Sequence, residues 1–401
     1  MASIRNKKKI GLVLSGGGVK AAAFHVGVCL ALREKGFKFI GGTREQTQES
    51  PDAQHPLAIK TYVGSSAGAL IAAILASGHD IEDVIDSFDM GSGLTRPREK
   101  KGNLPPLKYW NIFSPNRSAF WSLVPSVLSL SRKSLITGGI EALLKSRFKV
   151  NGLFTAKGME RYLRQHVLPT NSFHDLGPEL FIVATQLNHT RKVIFGPYKE
   201  FKKEPHQSQI PYTPISDAVA ASLSLPPVFA PYPVFDQRKQ TTIHYFDGEI
   251  RETLSSHIAA DQGADLVIAS YSVQPYHYTP EVGSLSDYGI PLIINQALYQ
   301  VIEQKIHSAI RHDQDLKTIV HIIEDYFRQA GLPDEDMARL IDIICKKINI
   351  QRNTETIYIH PKPQNYEMFF VDHFSLNPSI LARITKIGFK SALSALRKHN
   401  L

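Results

Sequence analysis

One short stretch, residues 62–75, sets strong limits on how this chain folds. An apolar run is followed by Gly64-Ser65-Ser66-Ala67-Gly68, and a second apolar run begins directly afterwards. The pattern predicts a buried strand, a tight turn and a helix, with Ser66 at the centre of a G-x-S-x-G turn. Gly64 and Gly68 leave room where side chains would clash. The dipole of the following helix points at the serine. A small-residue turn without function is the alternative interpretation.

Composition places the chain among globular proteins that can bury a sizeable core. It has 401 residues, of which 43% are hydrophobic, and this is enough for one large domain or two. The two cysteines, Cys29 and Cys345, lie in apolar helical patterns, which favours a reducing compartment over a disulfide framework. The apolar run near the N-terminus is too short for a signal peptide. No apolar run reaches the ~18 residues that a membrane-spanning helix needs.

The net charge of +9 is concentrated in one segment, residues 91–150. This segment has eleven Lys or Arg residues and two acids, and it contains both tryptophans. Because a nucleic-acid-binding protein carries its basic residues over a broader surface, we predict no nucleic-acid partner. We predict a basic, aromatic insertion that docks on an anionic membrane surface and covers the Ser66 crevice. The residues that we assign to docking are Trp110, Trp121, Arg132 and Lys133. A solvated loop is the alternative.

Short apolar runs alternate with helical patterns along most of the chain. We predict strands at 9–14, 60–63, 180–185, 192–195, 242–246, 265–271 and 356–360. We predict helices at 22–35, 70–75, 82–88, 156–167 and 216–223, and long helices from 290 onward that break at 331–333. The polar residues 41–58 are predicted to form a surface loop. The alternation predicts an α/β fold whose central sheet is mainly parallel.

The glycine-rich stretch at 16–21 has two interpretations. Gly16, Gly18 and Ala21 match the dinucleotide fingerprint G-x-G-x-x-G/A between a strand and a helix. That interpretation needs an acidic residue at the end of the next strand, about 20 residues on. The next predicted strand ends at Val63, which is far too late. An oxyanion hole formed by the backbone N–H groups of Gly16, Gly17 and Gly18 fits better, because Ser66 follows the neighbouring strand. We therefore expect no cofactor and no metal.

Ser66 needs a proton acceptor, and Asp247 is the best-placed candidate. It ends a predicted strand, and Gly248 lets the backbone turn beside it. A carboxylate accepts a serine proton directly where partial desolvation raises its basicity. The histidines after Asp247 are the alternative that an α/β-hydrolase triad requires. His307, His312 and His321 are predicted to lie on helix faces.

Five short motifs resemble those of the patatin-like phospholipase family. They are Gly16-Gly17-Gly18-Val19-Lys20-Ala21, Phe24-His25-Val26-Gly27, Gly64-Ser65-Ser66-Ala67-Gly68, the stretch from Ala221 to Phe229 and Asp247-Gly248. Their order and approximate spacing agree with the family over residues 9–270. The resemblance implies a three-layer αβα fold with a catalytic domain at 9–270, interrupted by the insertion at about 91–150. We expect a mostly helical C-terminal region, 280–401, to pack on this domain.

The resemblance also implies an activity and the residues that carry it. Ser66 would be the nucleophile and Asp247 the base of a Ser–Asp dyad, and the glycines 16–18 would form the oxyanion hole. The nucleophile elbow would comprise Gly64, Ser65, Ala67 and Gly68, and Lys20 and Gly248 would support the site. The family hydrolyses acyl esters of phospholipids, lysophospholipids or neutral glycerides without a metal or another cofactor. We therefore expect a cytoplasmic enzyme that associates peripherally with membranes, with non-classical secretion as the alternative.

Two positions depart from the family pattern. Ala21 stands where the family has glycine, and Glu249 stands where it has Gly or Ala after Asp-Gly. We expect the Glu249 side chain to point to solvent, because an inward carboxylate would raise the pKa of the dyad or block the substrate. A catalytically silent lipid-binding or scaffold protein is one alternative function. An acyltransferase that uses the same acyl-enzyme is another.

Overall fold

The computed structural model describes residues 7–90, 103–116, 151–189, 191–198, 206–348, 351, 354–399 and 401. Within these residues, helices cover both faces of a mainly parallel sheet. This arrangement confirms the predicted α/β fold with three layers.

All seven predicted strands occur, and the described residues hold five more that the apolar runs did not predict, including the polar run Gln207–Ile210. The strands are β1 (Ile10–Leu14), β2 (Lys38–Phe39), β3 (Ala58–Ser65), β4 (Ser114–Pro115), β5 (Phe154–Thr155), β6 (Glu179–Gln186), β7 (Lys192–Phe195), β8 (Gln207–Ile210), β9 (Tyr232–Asp236), β10 (Thr241–Asp247), β11 (Leu266–Ser270) and β12 (Glu355–Ile359). In the main sheet β12, β11, β1, β3 and β6 run parallel to one another. The strands β7 and β10 pair antiparallel with β6.

The helices and the sheet share one hydrophobic core on each face of the sheet. The helices are α1 (Gly18–Glu34), α2 (Arg44–Glu49), α3 (Ala67–Ala76), α4 (Ile81–Ser87), α5 (Tyr109–Ile112), α6 (Lys157–Tyr162), α7 (Ile215–Ser222), α8 (Ser256–Asp261), α9 (Ile290–Gln329), α10 (Asp334–Ile348), α11 (Glu367–Phe370) and α12 (Pro378–Lys398). Successive side chains of a strand point to opposite faces. Leu12 therefore packs in the core formed with α1 and α3, and Val13 packs in the core formed with α8.

The C-terminal region contributes to two layers of this fold. The strand β12 pairs with β11, and α12 packs along α1. The two helices approach closely at Gly27 and Gly388. A Cβ atom on Gly27 would lie 2.0 Å from the Thr385 carbonyl oxygen, and one on Gly388 would lie 2.1 Å from the Phe24 carbonyl oxygen. These two glycines therefore allow a contact that any side chain would prevent. The proposed division of the chain at about residue 280 stays a prediction.

The prediction of a surface loop at 41–58 is wrong. Helix α2 and a 3₁₀ turn, Pro51–Gln54, form there instead. The Thr43 hydroxyl accepts the Gln46 N–H, and the Gln46 side chain accepts the Thr43 N–H, so a capping box starts α2. In the part of the chain that the structure describes, no helix is both long and apolar enough to cross a membrane.

Candidate active site

Ser66 lies at a strained turn between β3 and α3. Its backbone has φ 51° and ψ −123°, a conformation that residues with a side chain rarely adopt. The turn closes tightly: a Cβ atom on Gly64 would lie 2.5 Å from Ala69 Cα, and one on Gly68 would lie 2.1 Å from the Leu14 carbonyl oxygen. The chain can make this turn only because both positions are glycine, and the geometry is that of a nucleophile elbow.

The carboxyl ends of β3 and β10 meet on one edge of β6. The strand β7 pairs with residues 182–185 of β6 and so occupies the opposite edge. On the shared edge, Ser65 of β3 pairs with Val183, and Asp247 of β10 pairs with the next residue, Ala184. Because β3 runs parallel and β10 antiparallel to β6, the two chain ends point toward each other. This topology brings Ser66 and Asp247 together although 181 positions separate them in the sequence.

Asp247 is buried, with 1% of its surface exposed, and its carboxylate hydrogen-bonds the Ser66 hydroxyl. Its Oδ1 atom also accepts the Glu249 N–H at 2.9 Å. Burial raises the pKa of Asp247 to about 6, and the two hydrogen bonds oppose that rise. Asp247 is therefore ionised at neutral pH yet more basic than an exposed aspartate, and such a carboxylate can accept a hydroxyl proton.

Ser222 supports the turn that carries Ser66 through two hydrogen bonds. The Ser66 N–H donates to the Ser222 hydroxyl at 2.8 Å, and that hydroxyl donates to the Val183 carbonyl at 2.6 Å. Ser222 ends α7 and belongs to the Ala221–Phe229 motif of the sequence. The Ala221–Phe229 motif thus has a structural role, because its Ser222 holds the backbone of Ser66 in place.

The glycine loop follows β1, beside the Ser66 turn. Gly17 and Gly18 have φ angles of 130° and 74°. Within the residues that the structure describes, the N–H groups of Gly17 and Gly18 have no hydrogen-bond partner. The Gly16 N–H, in contrast, donates to Glu249 Oε1 at 2.7 Å. Two of the three expected donors are therefore available to a ligand, and the third is occupied.

The prediction that Glu249 points to solvent is wrong. Its side chain is half-buried against the glycine loop, and its carboxyl accepts hydrogen bonds from the Gly16 N–H and the Ser65 hydroxyl. The reason is the 3₁₀ turn Gly248–Ile250, which directs the side chain inward after the strand ends. Burial and the nearby Asp247 carboxylate raise the pKa of Glu249 to about 8.

A segment that the sequence analysis missed covers the first turn of α1. We call residues 366–376 the aromatic cap. The His373 carbonyl accepts the Val19 N–H at 2.6 Å and the Lys20 N–H at 3.4 Å. A dinucleotide pyrophosphate needs the helix N-terminus to be open. Since the aromatic cap occupies these donors, the geometry disfavours the dinucleotide interpretation.

Lys20 connects α1 to the aromatic cap through hydrogen bonds. It is 1% exposed, and its Nζ atom donates to the Met368 carbonyl at 2.7 Å and to the Val371 carbonyl at 3.2 Å. The same atom lies 5.2 Å from the centroid of the Tyr299 ring. Burial lowers the pKa of Lys20 to about 7, and the Asp372 carboxylate opposes that shift. Lys20 thus contacts the C-terminal region and does not touch Ser66.

An apolar cavity opens beside Ser66. It is narrow, about 50 Å³, and its lining combines residues from distant parts of the sequence, including Leu70, Met159, Leu223, Phe229 and Phe374. The Phe374 ring packs edge-on against Phe113, at a centroid distance of 5.4 Å. A lining of this kind accepts an alkyl group and excludes a charged headgroup. The sequence shows that the aromatic cap is rich in aromatic residues, but it does not indicate that Phe374 lies beside Ser66.

The structure describes one of the four residues assigned to membrane docking. Trp110 lies on α5 with 67% of its surface exposed, beside Tyr109, which is 51% exposed. Trp121, Arg132 and Lys133 lie outside the described residues. Among the described residues, no three His, Cys, Asp or Glu side chains are grouped so that they could hold a metal ion.

Comparison with known protein families identifies the family to which the chain belongs. A family model described as patatin-like phospholipase matches residues 12–260, which is more than half of the chain. The chain belongs to the patatin-like phospholipase family. No curated protein matches it. The matched residues include the glycine loop, Ser66 and Asp247, whereas the aromatic cap lies beyond them. Membership in this family supports lipid acyl hydrolase activity in general and a lipid as substrate.

Proposed function

We propose that the chain is a serine hydrolase that cleaves fatty-acyl esters of membrane phospholipids, lysophospholipids or glycerolipids. Ser66 is the nucleophile and Asp247 is its base. The observation that carries this proposal is the hydrogen bond between the Ser66 hydroxyl, held at a strained turn, and the buried Asp247 carboxylate. A strained serine next to a carboxylate of raised pKa is an arrangement suited to nucleophilic catalysis.

The reaction runs in two steps through an acyl-enzyme. The Ser66 oxygen attacks the ester carbonyl carbon while its proton passes to Asp247, and the leaving alcohol then takes that proton as the C–O bond breaks. Water adds to the acyl-enzyme with Asp247 again accepting a proton, and the fatty acid leaves as the proton returns to Ser66. The N–H groups of Gly17 and Gly18 stabilise the oxyanion in both steps.

The apolar cavity supports a fatty-acyl substrate. It begins at Ser66, and side chains from α3, α6 and the aromatic cap line its walls. An alkyl chain gains roughly 0.8 kcal/mol for each CH₂ group that it buries, and a cavity of about 50 Å³ receives the first carbons of the chain beside Ser66. The headgroup would stay outside, at the mouth of the cavity.

A fluorophosphonate probe tests the proposal directly. We expect the probe to label the wild-type protein at Ser66 and to leave Ser66→Ala unlabelled. A panel of phospholipid, lysophospholipid and glyceride vesicles would then identify the lipid from the released fatty acid. An inert Ser66 would contradict the enzymatic proposal and favour the catalytically silent lipid-binding protein. If the probe labels Ser66 but no fatty acid is released into water, and the acyl group is transferred to an added alcohol, the protein is the acyltransferase.

Phe374→Ala should weaken substrate binding more than it slows the chemical step. The substitution removes an aromatic wall of the cavity but no group that touches the reacting atoms. We expect the KM for a long-chain ester to rise about tenfold, in keeping with ~1.5 kcal/mol of lost apolar contact. The KM for an acetyl ester and the kcat for both esters should change less than about threefold. Phe374→Leu is the matched control and should restore most of the affinity. A tenfold loss of kcat on both esters would mean that Phe374 shapes the catalytic residues themselves.

We also propose that the face around α5 contacts an anionic membrane surface. Trp110 and Tyr109 are exposed on this helix, and Lys108 Nζ lies 5.5 Å from the centroid of the Trp110 ring. The last residue of this short helix, Ile112, faces inward and lines the cavity. Aromatic and basic side chains together favour the headgroup region. A membrane in contact with α5 would therefore lie close to the cavity that receives the acyl chain.

Trp110→Ser should weaken vesicle binding without affecting hydrolysis of a soluble ester. We expect partitioning to anionic vesicles to fall about tenfold, because burying an aromatic side chain contributes roughly 1.5–3 kcal/mol. Vesicle sedimentation measures the binding, and a short-chain chromogenic ester serves as the soluble substrate. Trp110→Phe is the control and should retain most of the binding. An equal loss of activity on both substrates would show that Trp110 supports the site and does not dock.

A further inference from the structure

Glu249 joins the two halves of the site. Its Oε1 atom accepts the Gly16 N–H at 2.7 Å and also accepts the Ser65 hydroxyl. Its own N–H donates to Asp247 Oδ1 at 2.9 Å. One residue therefore connects the turn after β10, the glycine loop and the residue before Ser66. A glycine or alanine at this position would have no side chain that could make the first two contacts.

The position of Glu249 beside Ser66 follows from the space around Gly16. A Cβ atom on Gly16 would lie 2.6 Å from Glu249 Cγ and 2.7 Å from Ser66 Cβ. The two side chains thus flank the same glycine and leave no room for a substituent. A charge on Glu249 would lie close to the oxyanion that forms at the neighbouring Gly17 and Gly18.

The negative charges that face Glu249 favour its neutral form, whereas the hydrogen bonds from the Ser65 hydroxyl and the Gly16 N–H oppose the rise of its pKa. Asp247 is the nearest charge, and Glu252 adds a second negative charge from the same turn. Glu252 is itself paired with Lys192 at 2.6 Å and with His257 at 3.3 Å. On the side of α9, Lys305 donates to the Ile250 carbonyl at 3.1 Å. Because the pKa of Glu249 is raised to about 8 and that of Asp247 to about 6, the two carboxyls together carry about one negative charge at pH 7.

We propose that Glu249 is a positioning residue whose neutral carboxyl holds Gly16 and Ser65 in place, and that its ionisation switches the site off. In the neutral state the carboxyl fixes the loop so that the Gly17 and Gly18 N–H groups face the reacting carbonyl. In the ionised state a second negative charge opposes the oxyanion and the ionised Asp247. This inference rests on the proposed esterase function, because it concerns the regulation of the same site.

The pH dependence of three Glu249 variants and one control tests the proposal. We expect wild-type kcat/KM to rise with pH through about 6, as Asp247 ionises, and to fall above about 8, as Glu249 ionises. Glu249→Ala should lower kcat at least about tenfold at pH 7 with little change in KM. Glu249→Gln keeps an acceptor and no charge, so it should restore kcat to within about threefold of wild type and lose the alkaline limb. Glu249→Asp is shorter and should resemble the alanine variant. Glu252→Gln is the control and should keep the alkaline limb, moved to a lower pH because one of the negative charges that raise the pKa of Glu249 is gone.

Two results would overturn the proposal. One is an alkaline limb that persists at the same pH in Glu249→Gln, and the other is a Glu249→Ala enzyme with wild-type kcat.

A spectroscopic experiment keeps the inference separate from the esterase function. With ¹³C-labelled glutamate, we expect one carboxyl resonance to titrate near pH 8 in Ser66→Ala and to be missing in Ser66→Ala/Glu249→Gln. The Gly16 amide should exchange with solvent faster in Glu249→Ala than in Glu249→Gln. Loss of activity on every ester together with this titration would contradict the esterase and support the Glu249 contact. The absence of any glutamate that titrates above pH 7 would overturn the inference even in an active enzyme.

Discussion

Ser66→Ala is expected to reduce ester hydrolysis at least about ten-thousandfold while leaving the fold intact. The substitution removes one buried oxygen atom and keeps the backbone hydrogen bond from Ser66 to the Ser222 hydroxyl. Asp247→Asn should be nearly as damaging, because an amide cannot accept the Ser66 proton at neutral pH. Steady-state hydrolysis of a short-chain ester measures the rates, and the melting temperature checks the fold.

The double variant gives the sharper test of this pair. If Ser66 and Asp247 act as a unit, Ser66→Ala/Asp247→Asn should be no more than about threefold slower than the slower single variant. Independent residues would instead multiply their effects. Asp236→Asn is a matched control, because Asp236 is also a buried aspartate at a strand end but pairs with Tyr212. It should retain most of the activity. An Asp247→Asn enzyme that keeps more than a tenth of the wild-type rate would contradict Asp247 as the base.

The acid limb of the pH profile belongs to the same prediction. Only the ionised form of Asp247 can accept a proton, and burial raises its pKa to about 6. We therefore expect kcat/KM to fall about tenfold for each pH unit below about 6. An exposed carboxylate would place the midpoint near pH 4. A midpoint near pH 4 would mean that Asp247 is hydrated like an exposed carboxylate, which would contradict its burial at 1% exposure.

The sequence was most informative where chemistry and backbone geometry demand particular residue types at short range. Gly64, Ser66 and Gly68 could be predicted to form a strand–turn–helix because the turn leaves no room for other side chains. The position of Asp247 near Ser66 could be predicted from its place at the end of an apolar run. Most predicted strands and helices occur where expected, because each has a clear apolar period and is bounded by turn residues.

Sequence reasoning failed where contacts depend on the main chain or on distant residues. The His373 carbonyl occupies the start of α1, but a carbonyl group has no signature in the sequence. Phe374 lies more than 300 positions from Ser66, and nothing local indicates that both line one cavity. The direction of Glu249 is set by a three-residue 3₁₀ turn, which the alternation of a strand does not predict. The capping box that begins at Thr43 was a readable signal that the loop prediction overlooked.

Gly18→Ala is expected to lower kcat at least about a hundredfold, with a much smaller change in KM. Gly18 has φ 74°, and a Cβ atom there would lie 2.4 Å from the His373 carbonyl oxygen. That oxygen accepts the Val19 N–H at 2.6 Å, so the added methyl group must displace the aromatic cap, the glycine loop or both. Loss of one oxyanion donor alone typically lowers kcat 100- to 1000-fold.

A second glycine separates loss of catalysis from loss of stability. Gly263 has φ 85°, and a Cβ atom there would meet nothing within 4 Å. Gly263→Ala therefore introduces comparable backbone strain, on the order of 1–2 kcal/mol, without a steric clash and away from the glycine loop. Its melting temperature should fall, but its kcat should stay within about twofold of wild type. Gly18→Ala should show both a lower melting temperature and the loss of kcat.

A comparison of a long-chain ester with an acetyl ester shows which part of the site Gly18→Ala disturbs. If the substitution displaces only the N–H donors, long-chain and acetyl esters should lose the same factor in kcat, because both form the same oxyanion. If it also displaces Phe374, the KM of the long-chain ester alone should rise, since only that ester reaches the wall of the cavity. A wild-type kcat in Gly18→Ala would show that the oxyanion is stabilised elsewhere. A measurable affinity of the wild-type protein for NAD that this variant loses would instead restore the dinucleotide interpretation, against the occupancy of the α1 N-terminus by His373.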